Sequence, residues 1–363
     1  MENFKASGLH TKQAHVKVPE GHFEEEHGRK GFFGKVSHLY HQRPPVGWTH
    51  IEGDLKPRCQ PPMFESISTN ENQFFSILKN NDVVINIGKF TKSFDHFYRS
   101  ADFDELYFIH EGTGVIETSY GPLEYVKGDY IVIPRGTTYK LYLKTLTKIL
   151  KVESTSEFEQ PDRGLLGPNA LYDQTTITSP VAKIGSEQDK KEYKVEIKRL
   201  GKITSVTYPY NPLSVAGWKG SLYPYKLSIY DFCPVMSHRY HMPPSAHTTF
   251  VCKNFVICSF VERPLEDSSH GVLKVPFYHS NIDFDEVLFY HQGNFFSRDN
   301  IDAGALTFHP QGIHHGPHPK AFKNSDAKTF TDEFAVMIDA RNPLIPTEWF
   351  LDHENKDYWK SWM

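Results

Sequence analysis

The sequence predicts a mainly β protein made of two β-sandwich or barrel lobes with few short helices. Three observations predict it. Apolar or alternating runs of strand length recur between Gly, Pro, Asn and Asp signals along the chain. The 363 residues include 24 Gly, 24 Pro, 19 Tyr and 27 Phe, a composition that suits many short strands joined by turns. One phrase is written twice, as "FYRSADFDELYFIHEG" from Phe97 to Gly112 and as "FYHSNIDFDEVLFYHQG" from Phe277 to Gly293, which points to a duplicated β-module.

The elements follow in order. Strands are expected in "DVVINIGKF" (82–90), "ELYFIHEG" (105–112), "GVIETSYG" (114–121), "YIVIPRG" (130–136), "YKLYLK" (139–144) and "LTKILKVES" (146–154). Further strands are expected in "YKVEIKRLGKITSVTYP" (193–209), "TFVCKNFVICSF" (249–260), "EVLFYHQG" (286–293) and "ALTFHPQG" (305–312). The stretch 58–68 reads as loop, and "TEWFLDHENKDYWKSW" (347–362) as helical. Strands do not alternate with helices, so a parallel βαβ sheet is not expected. The length suits two lobes. We divide it into an N-terminal lobe (1–155), a connecting β segment (156–214) and a C-terminal lobe (215–363).

Aligning Glu105 with Glu286 places Asp102-Phe103-Asp104 on Asp283-Phe284-Asp285, His110 on His291 and Gly112 on Gly293. Downstream, "GDYIVIPRGTTY" (128–139) falls on "GALTFHPQGIHH" (304–315), so Tyr139 corresponds to His315. Arg99, or Tyr98, stands near the position of His279. The first copy therefore keeps the glycines, the proline and the acid but lacks both histidines. The fold pattern does not require those histidines, so the second copy carries them for another reason. Two neutral imidazoles and one carboxylate hold a divalent metal on one face and leave positions open. His279, Glu286 and His315 are the expected metal ligands, in the C-terminal lobe. A single His or Glu at a strand edge is more often an ordinary polar residue; the contrast between the copies favours the metal. His291, echoed by His110, reads as structural. His309 is a candidate for orienting a ligand. His314 should point away from the face that His315 uses, and His318 reads as a loop residue near the mouth.

Composition narrows the function classes. With 40 basic and 44 acidic residues the net charge is −4, and no Lys/Arg run suits a phosphate backbone. Four scattered cysteines form no CxxC pair, which fits a reducing, cytoplasmic setting. The polar N-terminus lacks the apolar core of a signal peptide, and no run is long enough to span a bilayer. Neither nucleic acid nor membrane is an expected partner.

The paired motifs resemble those of the cupin superfamily, which implies jelly-roll β-barrels. A longer resemblance is carried by Trp218-Lys219-Gly220, Pro224-Tyr225-Lys226, His241-Met242-Pro243-Pro244-Ser245, Pro276-Phe277-Tyr278-His279-Ser280-Asn281 and His315-Gly316-Pro317. In the N-terminal part "FEQPDRGLLGPNAL" (158–171) and "VIPRG" contribute to it. With these segments the chain is similar to the homogentisate 1,2-dioxygenase family, as a divergent member. The resemblance implies Fe(II) as cofactor, and O₂ and a small aromatic acid as substrates. It implies opening of the homogentisate ring to maleylacetoacetate in tyrosine and phenylalanine breakdown. It carries the ligands onto His279, Glu286 and His315, with His315 also beside substrate, and the acid/base histidine onto His241. The residues alone leave His238, His241 and His247 open for that role. A homo-oligomer, trimer or hexamer, is implied by the same likeness.

The sequence also departs from the family. One extra residue separates His279 from Glu286. Ser280 replaces an Arg, and Phe295 stands where the family has a substrate-binding Tyr, with Phe296 beside it. Gentisate is therefore an alternative substrate. A cupin isomerase using Zn or Mn, and a metal-binding cupin without turnover, are the readings from other classes.

Overall fold

The computed structural model describes residues 5–31, 34–187, 190–274, 277–295, 301–319 and 328–363. Pro276 and Phe296 lie outside them. The fold is mainly β, in two jelly-roll lobes, as the sequence predicts. In the N-terminal lobe a seven-stranded sheet has strand Asp104–Glu111 between Asp129–Ile133 and Thr147–Ser154. A six-stranded sheet faces it, built around Thr138–Leu143 and Gly114–Thr118. The hairpin Tyr193–Arg199/Lys202–Tyr208 extends that second sheet through a parallel pairing with Phe97–Ser100. In the C-terminal lobe the six-stranded sheet runs Thr248–Val251, Phe255–Phe260, Phe334–Ala340, Asp285–Gln292, Leu306–His309 and Arg58–Gln60.

The lobes exchange edge strands. Arg58–Gln60, in the stretch expected to be loop, closes the C-terminal sheet. Tyr225–Ser228 and Ile345–Pro346 close the two edges of the N-terminal seven-stranded sheet. Such exchange covers edges that would otherwise expose unpaired backbone. The division at 155 and 214 stands as our proposal for the lobes. The helical expectation near the C-terminus corresponds to the α-helix Glu348–His353, capped by Thr347, and a 3₁₀ turn at Tyr358–Trp362.

Strand parity explains how the repeats are used. Side chains alternate across a strand, so Leu106, Phe108 and His110 share one face of their strand and Val287, Phe289 and His291 share one face of theirs. These faces pack on each other in a core common to both lobes. The equivalent rings meet: Phe108 and Phe289 are 6.2 Å apart edge to face, and His110 Nδ1 lies 3.0 Å from His291 Nδ1. Tyr230 Oη lies 3.0 Å from His291 Nε2. The histidine retained in both copies thus serves the lobe interface. The paired glycines are needed for the turn that follows. Gly112 and Gly293 have φ of 105° and 106°, and a Cβ would meet a backbone carbonyl at 2.4 and 2.3 Å.

The opposite faces look into the separate lobes. In the N-terminal lobe the interior is filled: Tyr139 donates to Glu105 at 2.8 Å, and Lys151 Nζ bonds Glu105 and Glu153 at 3.1 and 2.8 Å. An ammonium group supplies positive charge beside the acid that corresponds to Glu286. In the C-terminal lobe a cavity of about 130 Å³ opens instead.

Candidate active site

Three strands and a loop assemble the site. Glu286 is the second residue of strand Asp285–Gln292 and projects to the lobe interior with Leu288 and Tyr290, which line the cavity. His279 lies in Tyr278–Asn281 and His315 in the turn after Leu306–His309. These two are joined by reciprocal backbone hydrogen bonds of 2.9 and 3.1 Å, which bring their rings to 4.2 Å.

Each ring is oriented through Nδ1. His279 Nδ1 donates to the Phe277 carbonyl at 2.9 Å and His315 Nδ1 to the Ile313 carbonyl at 3.3 Å. That leaves Nε2 as the lone-pair atom of both, and both Nε2 atoms lie 3.5 Å from Glu286 Oε2. Two donors bound to one first-row divalent ion at about 2.1 Å stand roughly 3.0–3.5 Å apart. His315 Nε2 is buried without a hydrogen-bond partner among the described residues, as an unfilled metal donor would be. The three residues could therefore hold such an ion, and the other Glu286 oxygen is held at 2.8 Å by His309 Nδ1. Burial pushes the Glu286 carboxyl up, but the surrounding imidazoles outweigh it and hold the group well below the carboxylate range. Its register partner Asp339 is pushed the other way, above the carboxylate range, by burial and by the neighbouring Glu286 and Asp285.

The other histidines separate. His241 and His247 line the cavity, whereas His238 is exposed. His247 Nε2 is engaged by the Val235 carbonyl at 3.0 Å, and burial brings its pKa down to about 4. His241 Nδ1 lies 2.9 Å from Glu266 Oε1, which also accepts from Arg263 at 3.1 Å. Burial lowers the His241 pKa more than Glu266 raises it. The ring is thus neutral near pH 7, with Nδ1–H donated to the carboxylate and Nε2 the remaining acceptor. His314 turns away from the triad to Glu25, 3.0 Å from its Oε1. His318, expected as a loop residue near the mouth, lies outside any strand or helix and is buried, its ring 6.3 Å from that of Trp362. His315 stands at the triad, its Nε2 3.5 Å from Glu286, which lines the cavity. Phe295 does line the cavity, 4.7 Å from the Tyr290 ring.

Sequence reasoning missed Glu266, Asp339 and the whole N-terminal ribbon. Strand Phe23–Gly28 pairs in parallel with Tyr278–Asn281, placing Glu26 beside His279 in register. The available signal was the run Glu24-Glu25-Glu26 amid histidines, which reads as a solvated charge run until its burial is known.

Residues 72–231 match a family model described as the N-terminal part of homogentisate 1,2-dioxygenase. A protein of Saccharolobus solfataricus, described provisionally as a dioxygenase, is 33% identical over 360 residues, 93% of this chain and 92% of that one. The chain belongs to the homogentisate 1,2-dioxygenase family. It is a divergent member. The homogentisate 1,2-dioxygenases of Dictyostelium discoideum and Homo sapiens are 29% and 26% identical to it over 77% and 79% of this chain. The chain spans 68% of the length of each, and 62% of the Nitrobacter hamburgensis homogentisate 1,2-dioxygenase. Among solved structures, a cupin 2 conserved barrel domain protein from Leptotrichia buccalis is similar over 80% of this chain, with 12% identity and a TM-score of 0.37. No helix among the described residues is long and apolar enough to cross a membrane.

Proposed function

We propose that the chain is an Fe(II)-dependent ring-cleaving dioxygenase of a hydroquinone-type aromatic acid, with homogentisate, opened to maleylacetoacetate, as the first substrate to consider. The reading rests on one arrangement: the side chains of His279, Glu286 and His241 border the same cavity, with Glu266 behind His241. When bound, iron supplies the redox chemistry by which O₂ attacks an electron-rich ring; His279, Glu286 and His315 would hold it. His241 Nε2 takes the phenolic proton of the substrate, and Glu266 stabilises the imidazolium that results. The apolar wall of Phe260, Val261, Leu265, Phe277 and Met337 excludes water from the ring.

Gentisate is the second substrate reading, and Phe295 favours keeping it. The hydroxyl that a Tyr would place there is absent, which removes a hydrogen bond of about 1 kcal/mol. Reconstitution with Fe(II) under nitrogen, followed by O₂ uptake and product absorbance with homogentisate and gentisate in parallel, tests the reading. No uptake with either substrate, in protein that retains its iron, would overturn it.

A further inference from the structure

The N-terminal ribbon takes no part in the chemistry described so far, yet it reaches the cavity. Strand Phe23–Gly28 buries three consecutive carboxylates, Glu24, Glu25 and Glu26. Burying ionised carboxylates is costly unless each is paired, so their partners carry information. Glu24 is held by the His15 ring at 3.0 Å, the His15 backbone N–H at 2.8 Å and the Tyr40 hydroxyl at 2.8 Å. Glu25 meets His41 at 2.7 Å and His314 at 3.0 Å. Glu26 meets the second nitrogen of the same His15, at 3.2 Å. Glu26 also borders the cavity, alongside His241, His279 and Glu286.

His15 is held tightly enough to fix that carboxylate. Its ring is 1% exposed and stacks on Phe277 at 3.6 Å with a 12° interplanar angle. Its backbone has φ of 62°, a conformation uncommon for a non-glycine residue, and here the N–H finds Glu24. Phe277 in turn meets His241 edge-on at 5.5 Å. The one phenyl ring thus lies between two imidazole–carboxylate pairs of opposite polarity. In one pair the imidazole faces the cavity and the carboxylate backs it; in the other the carboxylate faces the cavity and the imidazole backs it. The two pairs thus present two hydrogen-bond acceptors to a cavity whose wall joins apolar side chains such as Phe260, Val261 and Leu265 to the polar Glu286, Glu333 and Thr331. Its volume of about 130 Å³ suits one aromatic ring, since an engineered cavity of about 150 Å³ binds benzene.

We propose that Glu26, seated by His15, accepts a hydrogen bond from the second hydroxyl of a single-ring dihydroxy aromatic and sets the specificity of the cavity for it. The proposal rests on the site assigned under the proposed function and adds the group that reads the remote hydroxyl. Like charge at Glu26 keeps a substituent carboxylate away from that end. Lys274 and Arg263 also border the cavity and provide the opposite charge for it.

The test is equilibrium binding by calorimetry to the Fe(II)-loaded protein under nitrogen, with hydroquinone and 4-methylphenol as probes. The methyl group replaces the second hydroxyl at nearly the same size. The native protein should prefer hydroquinone by about tenfold or more, as expected for a buried hydrogen bond to a charged acceptor. Glu26→Ala and the isosteric Glu26→Gln should reduce that ratio to about threefold or less, with iron content and melting temperature retained in the Gln variant. His15→Gln, which releases Glu26, should lower the ratio part-way. A ratio unchanged in both Glu26 variants, equal affinity for the two probes in the native protein, or no binding of hydroquinone would each overturn the proposal. Binding preference without O₂ uptake would instead count against the ring-cleaving reading alone, so the two failures are distinguishable.

Discussion

Lys151→Met removes the positive charge that fills the N-terminal lobe, and the structure sets the size of the loss. The ammonium is buried against Glu105 and Glu153, each about 1% exposed. Removing one partner of a buried ion pair typically costs about 3–5 kcal/mol. Lys198 Nζ keeps Glu153 at 2.8 Å through both oxygens, so one of the two acids stays paired. Glu105, whose carboxyl burial already pushes up, can take a proton. The cost therefore falls at the lower end, about 3 kcal/mol, or a melting shift of about 6–12 °C for a lobe of this size. The sign of the pH dependence follows. A carboxyl raised above its unfolded value stabilises the fold at low pH and loses that contribution as pH rises. The deficit should therefore be smaller at pH 5 than at pH 8, and adding Glu105→Gln should recover part of it at pH 8. Guanidinium denaturation at the two pH values, with iron content followed in parallel, measures this. A deficit under about 1 kcal/mol at both pH values would refute the view that lysine replaces a metal in this lobe; so would loss of the iron.

Other expectations concern the C-terminal lobe and the interface. His279→Ala and His315→Ala should each abolish retention of iron, measured by elemental analysis after dialysis, whereas His309→Ala should weaken metal affinity about 10–100-fold by freeing one Glu286 oxygen. His241→Ala should lower kcat about 10²–10⁴-fold with iron retained; because burial lowers the His241 pKa, the acid limb of kcat/KM should have its midpoint below the usual histidine value near 6.5, and a midpoint above that value would exclude His241 as the base. Burial brings the pKa of His110 to about 3 and of His291 to about 2, so the unfolded chain binds protons that the fold refuses and stability should fall as pH drops below about 6.5. A guanidinium midpoint unchanged between pH 7 and pH 5 in the native protein, or equally steep loss in a His110→Phe/His291→Phe variant, would contradict this.

The chemistry-bearing core of the site was legible because it appears as a difference between two copies of one motif. Gly, Pro and acid recur at fixed spacing while His279 and His315 do not, so the part needed for folding separates from the part needed for something else. The same comparison set His291 aside, because His110 echoes it in the first copy, and the fold brings the two rings together between the lobes. His238, His241 and His247 could not be ranked from their residues, because all three lie in one irregular loop with no periodicity to orient them. The cavity and the Glu266 contact are what favour His241 as the proposed base.

By itself, the sequence determined the mainly β fold and the duplication, and it picked out His279, Glu286 and His315, which the fold brings together. These are encoded locally, in alternation, turn residues and spacing. Only the tertiary structure decided how edge strands are exchanged, that Lys151 fills the first lobe, and that Glu26 stands beside His279 across 253 positions of chain. Such contacts form between segments remote in sequence, where no local pattern records which side chain will be buried or beside what.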